Sequence, residues 1–130
     1  MILLDTCVLL WLPLGARKLP PGVVAAIRRT PRGQRWFCPL SAYEIGIKVA
    51  RGRIGLPMPI GAWLSTLCVE RGLTPLPLSA EACVRAAELP DLHRDPVDRM
   101  IVAQAAEHGL LVLTSDQEIA RYPGIEVQWE

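Results

Sequence analysis

Two rhythms of apolar and polar positions run along the chain. Met1–Leu4, Arg35–Leu40, Leu73–Leu78, Leu110–Thr114 and Ile125–Trp129 are short, mostly apolar runs that read as strands. The first and fourth are continuously apolar, the mark of strands buried on both faces of a parallel sheet. The third carries Pro75 and Pro77, which places it at an edge. Between the strands, apolar residues recur at helical spacing. The predicted helices are Thr6–Leu12, Gly22–Arg29, Ala42–Arg51, Ile60–Glu70 and Ala80–Leu89, then one from Asp95-Pro96 to His108 with Gly109 as its stop. The first carries Trp11 into the core and is broken by Pro13 and Gly15; a short helix through Ala120 precedes the last strand. Strands alternating with helices specify an α/β sandwich around a parallel sheet, with residues 1–130 as one domain.

Carboxylates punctuate this pattern. Asp5 and Asp116 follow the ends of two apolar strands, and Glu44 lies in the first turn after a third. Asp98 falls in the first turn of the helix that leads into the Asp116 strand. Each has a local explanation. Ser41 and Glu44 match a capping box, and Glu44 also stands four residues before Lys48. Asp95 before Pro96 is a helix cap, Ser115 or Asp116 can cap the next helix, and Asp98 can complement the helix dipole or pair with Arg94 or Arg99. With the first strand central, between the second and fourth, all four acids reach one sheet edge, where open α/β sheets bind ligands. Carboxylates so close raise one another's pKa unless a cation compensates. Oxygen donors without His or Cys select Mg²⁺ or Mn²⁺, ions suited to phosphodiester hydrolysis.

Charge and composition narrow the picture further. The net charge is only +1, yet residues 1–53 hold nine Lys and Arg against Asp5 and Glu44, or +7, and the remainder carries −6. That asymmetry permits a basic face for a polyanion, though solvated helix faces account for it equally well. Hydrophobic residues make up 51% of the chain, an apolar excess that points to self-association or a tight protein partner. Cys7, Cys38, Cys68 and Cys83 lack metal-site spacing and read as small buried hydrophobes in a reducing compartment. The start lacks a basic n-region, and no apolar stretch reaches membrane length. The expectation is a soluble, cytoplasmic protein with no membrane partner.

Four blocks stand in order: Leu3-Leu4-Asp5-Thr6-x-Val8-Leu9-Leu10-Trp11; Ser41-x-x-Glu44-Ile45 with Lys48; His93-Arg94-Asp95-Pro96-x-Asp98-Arg99-Met100-Ile101-x-Ala103-Gln104-Ala105; and Leu113-Thr114-x-Asp116. Together they resemble PIN-domain ribonucleases, and more narrowly the VapC-type toxins of bacterial type II toxin–antitoxin pairs. Cys7 departs from the His or Asn common in relatives, and the segment after Trp11 is shorter and richer in Pro and Gly.

The resemblance implies an α/β/α sandwich with a five-stranded parallel sheet in the order 3-2-1-4-5. It implies a Mg²⁺- or Mn²⁺-dependent endoribonuclease that hydrolyses tRNA- or rRNA-like targets, leaves a 5′-phosphate and a 3′-hydroxyl, and inhibits translation. Asp5 and Asp98 would be metal ligands, with Glu44 and Asp116 completing the acidic cluster. Thr6, Thr114 and Ser115 would orient carboxylates, water or phosphate, and Asp95 would cap its helix close by. Lys48, Arg51 and Arg99 are the candidate RNA contacts. A homodimer and a cognate antitoxin are the expected protein partners. The rival is a catalytically silent PIN scaffold that binds RNA or protein. A phosphoacceptor reading would need an Asp ending the third strand, and Thr74–Leu78 has none.

Overall fold

In the computed structural model, which describes residues 1–130, the apolar start forms β1 (Ile2–Leu4) with all three side chains buried. Next come α1 (Thr6–Trp11), a 3-10 turn over Leu12–Arg17, and α2 (Pro21–Arg29). β2 (Arg35–Phe37), α3 (Pro39–Ala50), α4 (Ile60–Arg71) and β3 (Leu73–Pro75) complete the first half. The second half comprises α5 (Ala80–Glu88), α6 (Pro96–His108), β4 (Leu111–Leu113), α7 (Gln117–Ala120) and β5 (Glu126–Gln128). The strand order is β3-β2-β1-β4-β5, with every neighbouring pair parallel. That is the sandwich and order expected, and β3, with Pro75, takes an edge.

Alternation along β1 sorts the core into two layers. Ile2 and Leu4 pack with Val8, Leu9, Val23, Ile27, Phe37, Ile45, Trp63 and Leu67, on the side of α1 to α4. Leu3 packs with Val112, Ala82, Ala86, Ile101, Val102 and Ile119, on the side of α5 to α7. Small residues on α6, Ala103 and Ala105, are almost wholly buried and let that helix lie close to the sheet. Its end is set by Gly109, whose φ of 64° is a left-handed conformation that side chains with a Cβ resist. No helix is long and apolar enough to cross a membrane.

Besides the cysteines, of which only Cys38 is buried while Cys83 is exposed, three expectations need correcting. β2 stops at Phe37 and α3 begins at Pro39, with Cys38 as the N-cap and no side-chain cap bond. Pro39 opens the helix at its first position, where its missing N–H costs nothing, and does not close a longer strand. Ser41 is therefore inside α3 and buried, so the Ser41–Glu44 capping box is not formed. Trp11 is only half-buried; it lies at 6.3 Å from Trp129, with the Lys18 ammonium 5.8 Å from its ring centre. The 3-10 turn, reversed at Gly15 (φ 52°), holds it at the rim of the sheet.

Arg99 is the third correction. It stands beside Asp98 in sequence, but its guanidinium donates to the carbonyls of Ala86, Leu89, Pro90 and His93 at 2.8–3.2 Å. These bonds satisfy the C-terminal carbonyls of α5, which otherwise lack helical partners. Arg99 is thus occupied by its own chain and not free to contact RNA phosphate.

Candidate active site

Strand register builds the site. Leu4 pairs with Phe37 on one side and Leu113 on the other, so Asp5, Cys38 and Thr114 leave the sheet at one level. Asp5 caps α1 and is 5% exposed. Its Oδ1 accepts the Thr6 N–H at 2.7 Å, and its Oδ2 accepts the Thr114 hydroxyl at 2.6 Å. The same hydroxyl oxygen accepts the Asp116 N–H at 2.9 Å, so Thr114 ties together the two acids that follow β1 and β4. Asp116 caps α7, its Oδ1 accepting the Glu118 N–H at 2.8 Å. Asp95 caps α6 by accepting the Val97 N–H at 2.9 Å, which sets Asp98 in the first turn of that helix.

These elements enclose a cleft of about 380 Å³ lined by Asp5, Glu44, Asp98 and Asp116, with Asp95, Lys48 and Ser115 beside them. The structure therefore brings the four carboxylates proposed from sequence to one place. Glu44 has no ion pair with Lys48. With the capping box also absent, what is left of the local explanations is the pull of the Lys48 charge from beyond ion-pair distance. Thr6 is buried, its hydroxyl 2.8 Å from that of Ser41, which fastens α1 to α3 beneath Glu44. Cys7 lies 3.7 Å from both Asp5 Oδ2 and Ser115 Oγ. Burial and the Asp5 charge push its thiol up, so it stays protonated and can donate to Asp5. Arg51 is exposed past the end of α3 and does not line the cleft.

The electrostatics follow from the crowding. Burial, then the charges of Asp5 and Asp95, push the Asp98 carboxyl up to about 8. Burial also raises Asp5, against the hydrogen bonds from Thr114 and Thr6, and raises Glu44 against the pull of Thr6 and Lys48. Buried acids raised together signal a site short of positive charge.

One residue of the site escaped the sequence reading. His93 Nε2 lies 3.0 Å from Asp98 Oδ2 and 3.0 Å from Asp116 Oδ2. Ligand atoms of these three residues sit within 4.8 Å of one another, while Asp5 and Glu44 line the cleft outside the trio. Burial lowers the His93 pKa, but the Asp116 hydrogen bond and the charges of Asp98, Asp116 and Asp95 carry it upward overall. The signal available in sequence was the His-x-Asp spacing before a helix cap, since the Asp95 N–H donates to His93 Nδ1 at 3.1 Å.

The donor set fits a hard divalent cation. Four carboxylates offer oxygen ligands, and Asp98 Oδ1 takes no hydrogen bond from the protein. The charge imbalance that raises Asp98 is the one a divalent ion relieves.

A family model for the PIN domain matches residues 2–125. The chain is 29% identical to Ribonuclease VapC22 of Mycobacterium tuberculosis over 133 residues, covering 98% of each chain. Its fold is similar to a chain in the crystal structure of VapBC2 from Rickettsia felis bound to promoter DNA (TM-score 0.70, 15% identity, 100% of each chain covered). It is also similar to a chain of a toxin–antitoxin complex from Klebsiella pneumoniae (TM-score 0.67, 20% identity, 98% and 96% covered). A match over nearly the whole length, on a sheet that gathers these acids at its carboxyl edge, means that the chain belongs to the PIN domain family.

Proposed function

We propose that residues 1–130 form one PIN domain that acts as a Mg²⁺- or Mn²⁺-dependent endoribonuclease, the toxin of a type II toxin–antitoxin pair. The observation that carries this is the convergence of Asp5, Glu44, Asp98 and Asp116, from four separate elements, in one cleft. The mycobacterial relative, named a ribonuclease, supports the activity. The toxin–antitoxin complexes of similar fold support an antitoxin partner. Exposed Tyr43, Val69 and Val84 leave apolar surface for such a partner or for a second copy of the chain.

Asp98 and Asp5 would hold the ion, with Glu44 and Asp116 ligating directly or through water. When bound, the ion supplies charge neutralisation and makes water more acidic. The chain's own residues do the rest. Thr114 and Thr6 fix the Asp5 oxygens, and Asp98 gives up its proton as the site is loaded. Lys48 faces the cleft, where an ammonium attracts a phosphate. Water attacks phosphorus in line, the P–O3′ bond breaks, the 3′ oxygen takes a proton, and a 5′-phosphate and 3′-hydroxyl result.

The test is to incubate the purified protein with total cellular RNA and Mg²⁺ or Mn²⁺, with and without EDTA. Cleavage that EDTA abolishes and Asp5→Asn removes supports the reading. Cleavage that persists in EDTA, or none in either metal, overturns it.

A further inference from the structure

We propose that His93 is the positioning residue of the metal site: its Nε2–H holds Asp116 while the same ring edge lies against Asp98, joining the two acids from behind, and it is not itself a ligand. The inference rests on the metal-dependent reading of the cleft. Its basis is the direction of the hydrogen bonds around one imidazole. The Asp95 N–H donates to Nδ1 at 3.1 Å, so Nδ1 must offer a lone pair. A neutral ring that accepts at Nδ1 carries its proton on Nε2. That proton is donated to Asp116 Oδ2 at 3.0 Å, and Asp98 Oδ2 lies 3.0 Å from the same nitrogen.

Ligation through Nε2 would need a lone pair there while Nδ1 still accepted, which leaves the ring with no proton at all. Histidines that bind metals instead donate their second N–H to a carbonyl or carboxylate. Here the second nitrogen meets a donor. Location agrees: the cleft is lined by the two carboxylates and not by His93, which stands behind them with 19% of its side chain exposed. The arrangement takes one lone pair of Asp116 Oδ2 and leaves Asp98 Oδ1 free. Two further bonds hold the ring's segment: Asp95 caps α6, and Arg99 grips the His93 carbonyl at 3.2 Å. Asp98, on α6, and Asp116, after β4, have no other shared partner among their side-chain bonds.

Two substitutions separate the roles of the two nitrogens. His93→Asn keeps an oxygen near the Nδ1 position for the Asp95 N–H but removes the donor to the acids. His93→Gln extends an amide N–H toward the Nε2 position. Mn²⁺ affinity of the full chain, read by electron paramagnetic resonance of free Mn²⁺, should fall about 10- to 100-fold in His93→Asn and recover most of that in His93→Gln. A role in folding alone would lower the melting temperature and leave Mn²⁺ affinity untouched. Equal affinity in His93→Asn and wild type therefore overturns the clamp, as does equal loss in both variants.

The unaltered protein gives a second readout. The chain has only two histidines, so ¹⁵N NMR can follow the His93 ring directly. Its Nε2 should remain protonated when Mg²⁺ is added; loss of that proton marks ligation and refutes the proposal. If wild type binds Mn²⁺ but cuts no RNA, the nuclease reading fails while the clamp is still judged by these affinities. If it binds no divalent ion, both fall.

Discussion

Metal-free protein should lose stability as pH rises from 5 to 8, and Asp98→Asn should remove much of that loss. The Asp98 carboxyl is pushed from 3.8 to about 8 in the folded state. Between these values the unfolded chain has released the proton and the folded one still holds it. The folded state therefore binds more protons, and stability falls with pH by about 1.4 kcal/mol per unit for this one group. Only 15% of the side chain is exposed, so solvent screening takes little from that slope. Asp5 and Glu44, also raised, add to the trend. For a chain of this length the Asp98 slope alone corresponds to about 5 °C of melting temperature per pH unit. The assay is thermal unfolding in EDTA at half-unit pH steps, in wild type and Asp98→Asn. The variant should melt higher than wild type at pH 8 and show a shallower slope. Saturating Mg²⁺ should flatten the wild-type profile, because the ion favours the ionised carboxylates. A metal-free wild-type melting temperature that is level or rising between pH 5 and 8 refutes the crowded-acid account.

Thr114→Val keeps the shape but removes the hydroxyl that donates to Asp5 and accepts from Asp116. Chemical denaturation should show a loss of about 1–3 kcal/mol, with Mg²⁺ affinity lowered as well. Arg99→Ala strips the carbonyl clamp from the end of α5 and should destabilise by about 1.5–3 kcal/mol, with Arg99→Lys failing to restore it. RNA affinity of the folded fraction should be unchanged; a selective loss of RNA binding would contradict the structural role. Lys48→Ala should weaken RNA binding and reduce its salt dependence by about one phosphate's worth, measured by titration at several salt concentrations.

The legible parts of the fold were those set by neighbours in sequence. Apolar runs ending in Asp5 and Thr114-Ser115-Asp116 announce strands, caps and carboxylates together, and the α6 start at Asp95-Pro96 is as local as a signal can be. The start of α3 was misplaced because two local rules compete over the same residues. Proline ends strands and also opens helices, and Ser41 made the later start look capped; only the packing of Ser41 against Thr6 decides. Arg99 and His93 were misread or missed for one reason. The partners that fix their roles, the Ala86 carbonyl of α5 and the carboxylate of Asp116, lie thirteen and twenty-three residues away in sequence, where local spacing does not reach. Trp11 follows the same logic, since its neighbour Trp129 is contributed by the other end of the chain.

The guanidinium of Arg99 has one consequence beyond its own helix. It holds the last carbonyls of α5, and with the same group it holds the carbonyl of His93, whose ring touches two acids of the cleft. An outer helix with exposed Val84 on its surface is thereby coupled to the interior by a single side chain. Arg99 thus joins the end of α5 to the segment that carries His93, so the two keep one register on the surface of the domain.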